Sequence, residues 1–391
     1  MLMQRTVLHL NIADFATAVE RLCDSSLRHR PVIIGLPVAR SLVYDMSDEA
    51  YREGVRKGMP LWRARRLCPG AVILPPRPER YGKAMLHLLK LARPLTPLVE
   101  QAPGDGHLYL DLSGTRRLHG PARDVALRLR RQVRGELGLE PIWTLAPNKL
   151  VAKVASRLVK PEGEFLVESG REQQLLAPLS LELLPGLGRR LRERLREYNL
   201  VRAGQVAALS PAELAVICPG RERFLFQAVR GIDHTPVQPR TRSRGVVRTS
   251  HLFTPDSNRE DEVRCGLALL VEEVGYRLRQ QGLGCCRMSL VLTYSDGIST
   301  RRQASFRTIL SDNRSLFLQA ELLLHRAWRR RLRIRSLALV CDRLRTPVHQ
   351  LSLFGLVNQR QQRNHALSTA LDTIHKRFGR AKLVRGSLLA K

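Results

Sequence analysis

The residues best placed to do chemistry in this sequence are donors for phosphate, not nucleophiles or metal ligands. Pro185-Gly186-Leu187-Gly188 forms a glycine turn followed at once by Arg189-Arg190-Leu191-Arg192. A helix that starts after Gly188 leaves its first N–H groups unbonded, and with the turn's amides they face one anionic group. Gly186, Gly188, Arg189 and Arg190 are therefore expected to hold a DNA phosphate; the competing reading is an ordinary turn between helices. A second basic set lies further on, where residues 240–345 carry 21 Arg against 10 Asp and Glu. Arg244, Arg248, Arg301 and Arg302 are read there as contacts along a duplex backbone, against a merely solvated basic surface. A third signal is Gln350-Leu351-Ser352-Leu353-Phe354, an apolar cluster in a polar tail. Such a cluster is costly to expose. It reads as a peptide that docks in a partner's groove, with Leu353 and Phe354 as anchors and Gln350 as the polar handle; the alternative is an edge strand on its own domain. The seven cysteines are scattered, with no C-x-x-C pair and no histidine cluster, so reduced thiols are expected and no zinc site.

Those donors sit in a strongly basic chain. It has 391 residues, enough for two to four domains, and 66 Lys and Arg against 35 Asp and Glu give a net charge of +31. Such a surplus repels itself in the compact state, so a polyanion is the expected partner; a genome biased toward arginine codons is the other explanation. A hydrophobic fraction of 43% excludes disorder. No apolar run approaches a membrane span, and the first residues lack the pattern of a signal peptide. The expectation is a soluble protein in the cytoplasm, with no membrane partner.

The elements that must position these residues change character along the chain. Thr6–Leu10 reads as a buried strand and Asp14–Leu22 as a helix with Phe15, Val19 and Leu22 on one face. Pro31–Gly35, Leu108–Leu112 and Pro141–Leu145 read as strands, and Val125–Leu137 and Lys149–Leu158 as helices. This mixture predicts an α/β or α+β region. From Leu175 the pattern is short and helical, with a helix at Leu183-Leu184, the glycine turn and a second helix. His234–Ser243 reads as a linker. Beyond it, helices at Glu262–Gln280 and Leu316–Arg331 and strands at Met288–Tyr294 and Ile334–Val340 predict a small α+β sandwich. Leu367–Phe378 reads as a last amphipathic helix.

In this order the segments resemble the Y-family translesion DNA polymerases, the UmuC/DinB superfamily, over almost the whole chain. Leu8–Glu20 is similar to the family's opening strand and helix. Gly54–Pro60 with Leu67-Cys68-Pro69 and Tyr81 is similar to its fingers segment. Leu108–Gly114 resembles its palm hairpin, and Asn148–Ser156 with Lys160–Gly163 its second palm signature. The Pro185–Gly188 turn and Arg230–Asp233 fit its thumb, and Gln350–Phe354 resembles the sliding-clamp-binding pentapeptide. The resemblance implies an α+β multidomain, right-hand polymerase fold. Residues 1–20 and 78–165 would be palm, 21–77 fingers, 166–233 a helix-hairpin-helix thumb, 234–243 a linker and 244–345 an α+β little finger. Residues 346–391 would be a tail with the clamp peptide.

The family's chemistry needs two metal ions held by carboxylates, and at those positions the resemblance gives Asn11 and Ala13. For the hairpin pair, counting from Val99-Glu100 puts Asp105 and Gly106 on the family's Asp and Glu. Counting back from Tyr109-Leu110-Asp111 puts Gly106 and His107 there instead. The two differ by one residue, which in a strand reverses the side chain unless a bulge absorbs it. Asp14 is expected to start the helix as its N-cap, not to reach a metal. In the nucleotide grip the resemblance puts Asp45, Asp48 and Tyr51 where the family has Thr, Tyr and Arg, and Ala16 at the aromatic that screens out ribonucleotides; Lys153 is retained. These departures resemble the catalytically degenerate ImuB type. They imply a DNA-repair accessory protein that binds damaged or primer–template DNA and the sliding clamp, with no polymerase activity and no cofactor. A further polymerase or recombinase would be a recruited partner, and the nucleoid the place of action. The competing expectation is an active error-prone polymerase with a rearranged Mg²⁺ site, in which Asp105 joins Asp14 or Glu100.

Overall fold

The computed structural model describes residues 5–38, 40–101, 105–239, 245–347 and 359–378, without side-chain surroundings for 359–365, 375, 376 and 378. Ala102–Gly104, Arg240–Arg244 and the clamp-like peptide Gln350–Phe354 lie outside them, so the readings placed on Arg244 and on that peptide have no structural counterpart. The chain divides into two compact units, Met1–Thr241 and Arg242–Lys391.

The first unit opens on β1 (Val7–Ile12), all six residues buried, and α1 (Phe15–Cys23). β2 (Val32–Ile34), β3 (Asp45–Met46), α2 (Asp48–Arg52), α3 (Leu61–Leu67) and β4 (Val72–Leu74) follow. They make a three-stranded sheet in the order β3-β2-β4, covered by a small core of Ile33, Val43, Leu61 and Ala64. Next come α4 (Pro78–Ala92), β5 (Val99–Gln101), β6 (His107–Asp111), α5 (Arg116–His119), α6 (Ala122–Leu137), β7 (Pro141–Ala146), α7 (Lys149–Leu158) and β8 (Glu164–Leu166). Their strands form one sheet, β5-β6-β1-β7-β8. A strand turns successive side chains to opposite faces. Leu8, Leu10, Leu108, Leu110, Trp143 and Leu145 therefore enter the core shared with α1, α4 and α6. His9, Asn11, His107 and Tyr109 are left on the other face, where α7 packs.

The helical part comprises α8 (Glu172–Leu176), α9 (Arg189–Glu197), α10 (Ala203–Ala207), α11 (Pro211–Ile217) and α12 (Glu222–Val229). The helix expected at Leu183-Leu184 is only a single tight turn, Leu181–Leu183, because Pro185 cannot donate to a continuing helix. α7 is buried almost all round: Leu150, Val151 and Val154 share a core with Leu176, Leu195 and Leu225. Two quoted segments meet at its start. Asn148 caps α7 by accepting from Val151 N at 2.9 Å and donates Nδ2 to Gly231 O at 2.7 Å, while Asp233 accepts from Leu150 N at 3.1 Å. Part of the stretch read as a linker is packed: Val237 is buried against Val7 and Tyr109, and Gln238 N donates to Glu100.

The second unit holds β9 (Val247–Ser257), α13 (Glu260–Gln280), β10 (Gly284–Tyr294), β11 (Ser299–Leu310), α14 (Asn313–Ala327), β12 (Ile334–Arg345) and α15 (Gln359–Phe378). Its sheet runs β11-β10-β12-β9, with α13 and α14 over one face. β9 and β11 were not expected from the sequence, because apart from Leu252 their outward residues are mostly Arg, Ser, Thr and Gln and their inward ones include Thr and His. α14 stops at Ala327, short of Arg331, because Trp328 leaves helical geometry. α15 docks through Asp372, whose carboxylate takes two bonds from Arg279 at 2.6 and 2.7 Å. Among the described residues no helix is long and apolar enough to cross a membrane.

Candidate functional site

The β1–β6 ladder fixes what lies on the sheet face that α7 covers. His9 lies opposite Tyr109 and Asn11 opposite His107. His9 stacks on both rings, at 4.5 Å from Tyr109 and 5.1 Å from His107, and its Nε2 is 3.0 Å from His107 Nδ1. One nitrogen must donate and the other accept, so two neutral imidazoles of complementary tautomer satisfy the contact. Burial keeps both neutral: His107 is pushed down to about 3, by burial first and then by Lys153, and His9 falls well below its ordinary range for the same first reason. Asn11 is 1% exposed and its Nδ2 has no hydrogen-bond partner among the described residues.

Before the ladder, Gly106 has φ +77° and its carbonyl accepts from Ile12 N at 3.0 Å. A Cβ there would lie 2.8 Å from Phe15 Cβ and 2.9 Å from Ile12 O, so the position takes no side chain. Asp105 stands outside the strand and its Oδ1 accepts from His107 N at 3.3 Å. The ladder thus places His107, not Asp105, across from Asn11. Glu100 is engaged by two other groups, at 2.9 Å from Lys149 Nζ and 3.0 Å from Gln238 N.

Ala13 lies in the turn before α1. Asp14 occupies the N-cap position with φ 47°, but its side chain makes no capping bond. Asp45 does that work from β3: Oδ2 accepts from Ala16 N at 2.9 Å and Oδ1 pairs with Lys57 Nζ at 2.8 Å. The residue read as a degenerate nucleotide contact is therefore a buried cap for α1. Asp48 pairs with Arg52 on its own helix, and Tyr51 is half exposed under the Arg56 guanidinium, 3.8 Å from its ring centre.

The charges around these residues alternate in sign. Burial and the nearby Asp45 raise Asp14 to about 6, opposed by Lys160 and Lys57. Burial raises Asp105, opposed by its bond to His107 and by Lys153 and Lys57. Burial lowers Lys153 and Lys160, with Arg157 adding repulsion. Sequence reasoning missed Lys57, Lys160 and the His9–His107 pair. Lys57 and Lys160 lay inside quoted segments, and the unusual acid at Asp45 was the signal that a cation must stand nearby. Two histidines far apart in sequence gave no signal before the register was known.

The phosphate donors separate. Gly186 has φ +85°, and a Cβ would meet the Phe224 ring at 2.7 Å. Gly188 caps α9 without a side chain, leaving the helix's first amides open. Arg189 is held by Glu193 at 2.6 Å, whereas Arg190 is exposed. In the second unit Arg248 lies opposite Val340, and Arg301 opposite Val291, on the sheet face away from α13 and α14. Arg301 donates to Ser289 Oγ at 3.1 Å. Arg302 does not share that face: it lies opposite Leu290, which points into the core, and is exposed only because β11 is an edge strand.

Comparison with known proteins places the chain among described families. Residues 10–157 match the impB/mucB/samB family, and residues 246–353 match its C-terminal domain. DNA polymerase IV of Alkalilimnicola ehrlichii is 33% identical over 79% of this chain and 86% of its own length. A Dehalococcoides mccartyi DNA polymerase IV is 27% identical over 98% of this chain and 97% of its own. A solved Y-family polymerase chimera built on Dbh superposes with TM-score 0.74 at 18% identity, covering 86% of this chain and 98% of its own, which shows the fold. DinB from Sulfolobus solfataricus superposes at 0.61 with 20% identity, over 86% and 98%.

These relatives correct the expectation of no cofactor. Proteins named DNA polymerase IV, and Y-family polymerases generally, use Mg²⁺, so a divalent ion belongs to the chemistry of this family. The residues in hand do not reproduce the acidic cage that two such ions need. Among the described residues no group of three or more Asp, Glu, His or Cys could hold a metal. Asn11 offers an orphaned N–H donor, and the acids nearby are interleaved with lysines. The family itself rests on a relative matched over most of its length together with the fold: the chain belongs to the Y-family DNA polymerases.

Proposed function

We propose that this chain is a DNA-repair accessory protein of the ImuB type, which binds primer–template DNA on a polymerase fold and does not extend the primer. The observation that carries this reading is the Asn11–His107 pair beside Gly106, where the family sets carboxylates and where no side chain fits at Gly106. Asp45 supports it, since a residue spent on capping α1 and pairing Lys57 is not free to meet a triphosphate. Phosphate contacts come from the open amides of α9, Arg190, Arg248 and Arg301. Gln350–Phe354 tethers the protein to the sliding clamp, where linkage of two weak sites raises local concentration. At the nucleoid it recruits a second polymerase or a recombinase.

Primer extension by purified protein tests this reading. No incorporation is expected with Mg²⁺ or Mn²⁺, while the same preparation binds primer–template, and Phe354→Ala abolishes capture by the clamp. Template-dependent extension that is lost in Asp105→Ala would establish the competing reading, an active polymerase with a rearranged metal site.

A further inference from the structure

α3 presents an unusual outward face. Its sequence is Leu-Trp-Arg-Ala-Arg-Arg-Leu, with no acid. Leu61 and Ala64 are buried in the small core, at 4% and 0%. The helix turn of 100° per residue then places Trp62, Arg63 and Arg66 on the opposite side, with Arg65 on the flank about 60° from Trp62. Trp62 is 59% exposed. Arg63, Arg65 and Arg66 are exposed, and none has an ion-pair partner among the described residues. An indole in water next to unpaired guanidiniums three and four residues on is a surface that costs free energy unless something covers it.

We propose that this face of α3 is a binding site for single-stranded nucleic acid. Trp62 stacks on an unpaired base, and Arg65 and Arg66 hold the flanking phosphates. Charge decides the class of occupant: three uncompensated cations in a chain of net charge +31 select a polyanion. The indole decides the strandedness. A duplex hides the faces of its bases in its own stack, whereas a single strand offers them to an aromatic platform. This inference goes beyond the reading of the palm and does not depend on whether the palm polymerises.

The test is fluorescence anisotropy of a dye-labelled short oligothymidylate titrated with the full chain at low salt, which reads binding in every variant, with tryptophan quenching of the parent as a second readout. Trp143 is 1% exposed in the palm core and Trp328 is packed against the second unit's core, so Trp62 is the accessible reporter. Quenching is expected. Trp62→Ala should weaken binding about tenfold or more, and Trp62→Phe should retain most of it, as removal of one stacking aromatic does elsewhere. Arg65→Ala with Arg66→Ala should lower the slope of log K against log salt by about 1.4. Duplex affinity should be unchanged in Trp62→Ala, and unchanged melting confirms that this exposed substitution folds. Equal oligothymidylate affinity for parent and Trp62→Ala overturns the site while leaving the primer–template reading intact. Equal quenching by polyglutamate overturns it too, and assigns the face to an acidic protein. Loss of duplex binding in the parent would instead strike at the proposed function.

Discussion

At Asp14 the backbone is left-handed, with φ 47°, and the carboxylate gains no capping bond for that strain. The fold holds its pKa at about 6, above the ordinary 3.8, by burial and by Asp45. A raised carboxylate makes the folded state bind more protons than the unfolded one between those two values, so stability falls as pH rises through that window. Asp14→Asn keeps a residue type that tolerates the conformation and removes the charge. It should stabilise the protein by on the order of 1 kcal/mol at about pH 7.5, after discounting for partial exposure. The gain should shrink as pH falls from about 6 and vanish below about 4; denaturant midpoints of parent and variant across that range check it. A gain independent of pH would assign the effect to backbone strain alone. The neighbouring residues show how far the sequence was readable at this scale. The lack of a carboxylate at Asn11, Ala13 and Gly106 is read directly from the sequence. The tasks of Asp45, Lys57 and the two histidines are not, because each depends on a partner outside its own element that only the folded chain brings near.

At the scale of elements, α1 and α4 are locked together by one carboxylate. Glu20 is 2% exposed and receives Arg77 at 3.0 Å, Arg80 at 3.2 Å and the Tyr81 hydroxyl at 3.1 Å. Both arginines are nearly half exposed, so their charges are screened and removing the acid costs less than in a fully buried pair. Glu20→Ala should destabilise the protein by about 2–3 kcal/mol, and Glu20→Gln by less, since an amide still accepts from the hydroxyl. Urea unfolding measures both, and equal losses would mean that charge matters less than the packing of the side chain. Periodicity made α1, α6, α7 and α13 legible, because each has an apolar stripe; in α7 it is broken only by Lys149, Lys153, Ser156 and Arg157. β9 and β11 escaped notice for the opposite reason. Apart from Leu252 their outward residues are mostly polar and β11 is an edge strand, so only pairing with β12 and β10 reveals them.

Over the whole molecule the charge surplus is not consumed internally. In the second unit Arg259, Arg264, Arg277, Arg279, Arg287 and Arg330 pair with acids. Arg248, Arg301 and Arg302 have no such partner among the described residues and stay exposed. Uncompensated cations on a protein of net charge +31 act on DNA mainly by releasing its condensed counterions, one set for each phosphate neutralised. That term does not depend on how the two units sit relative to each other; it counts phosphates. If about 6–10 phosphates are engaged, duplex affinity should fall by about 10³–10⁵ between about 50 and 200 mM salt. Arg248→Ala and Arg301→Ala, both on the sheet face away from the helices, should each lower the slope of log K against log salt by about 0.9. Arg302→Ala, on the other face, should change it much less. Fluorescence anisotropy of a labelled duplex over a salt series reads all three. Equal effects from the three substitutions would mean that the exposed arginines act as a diffuse cloud of charge, and that the sheet face makes no ordered track for the backbone.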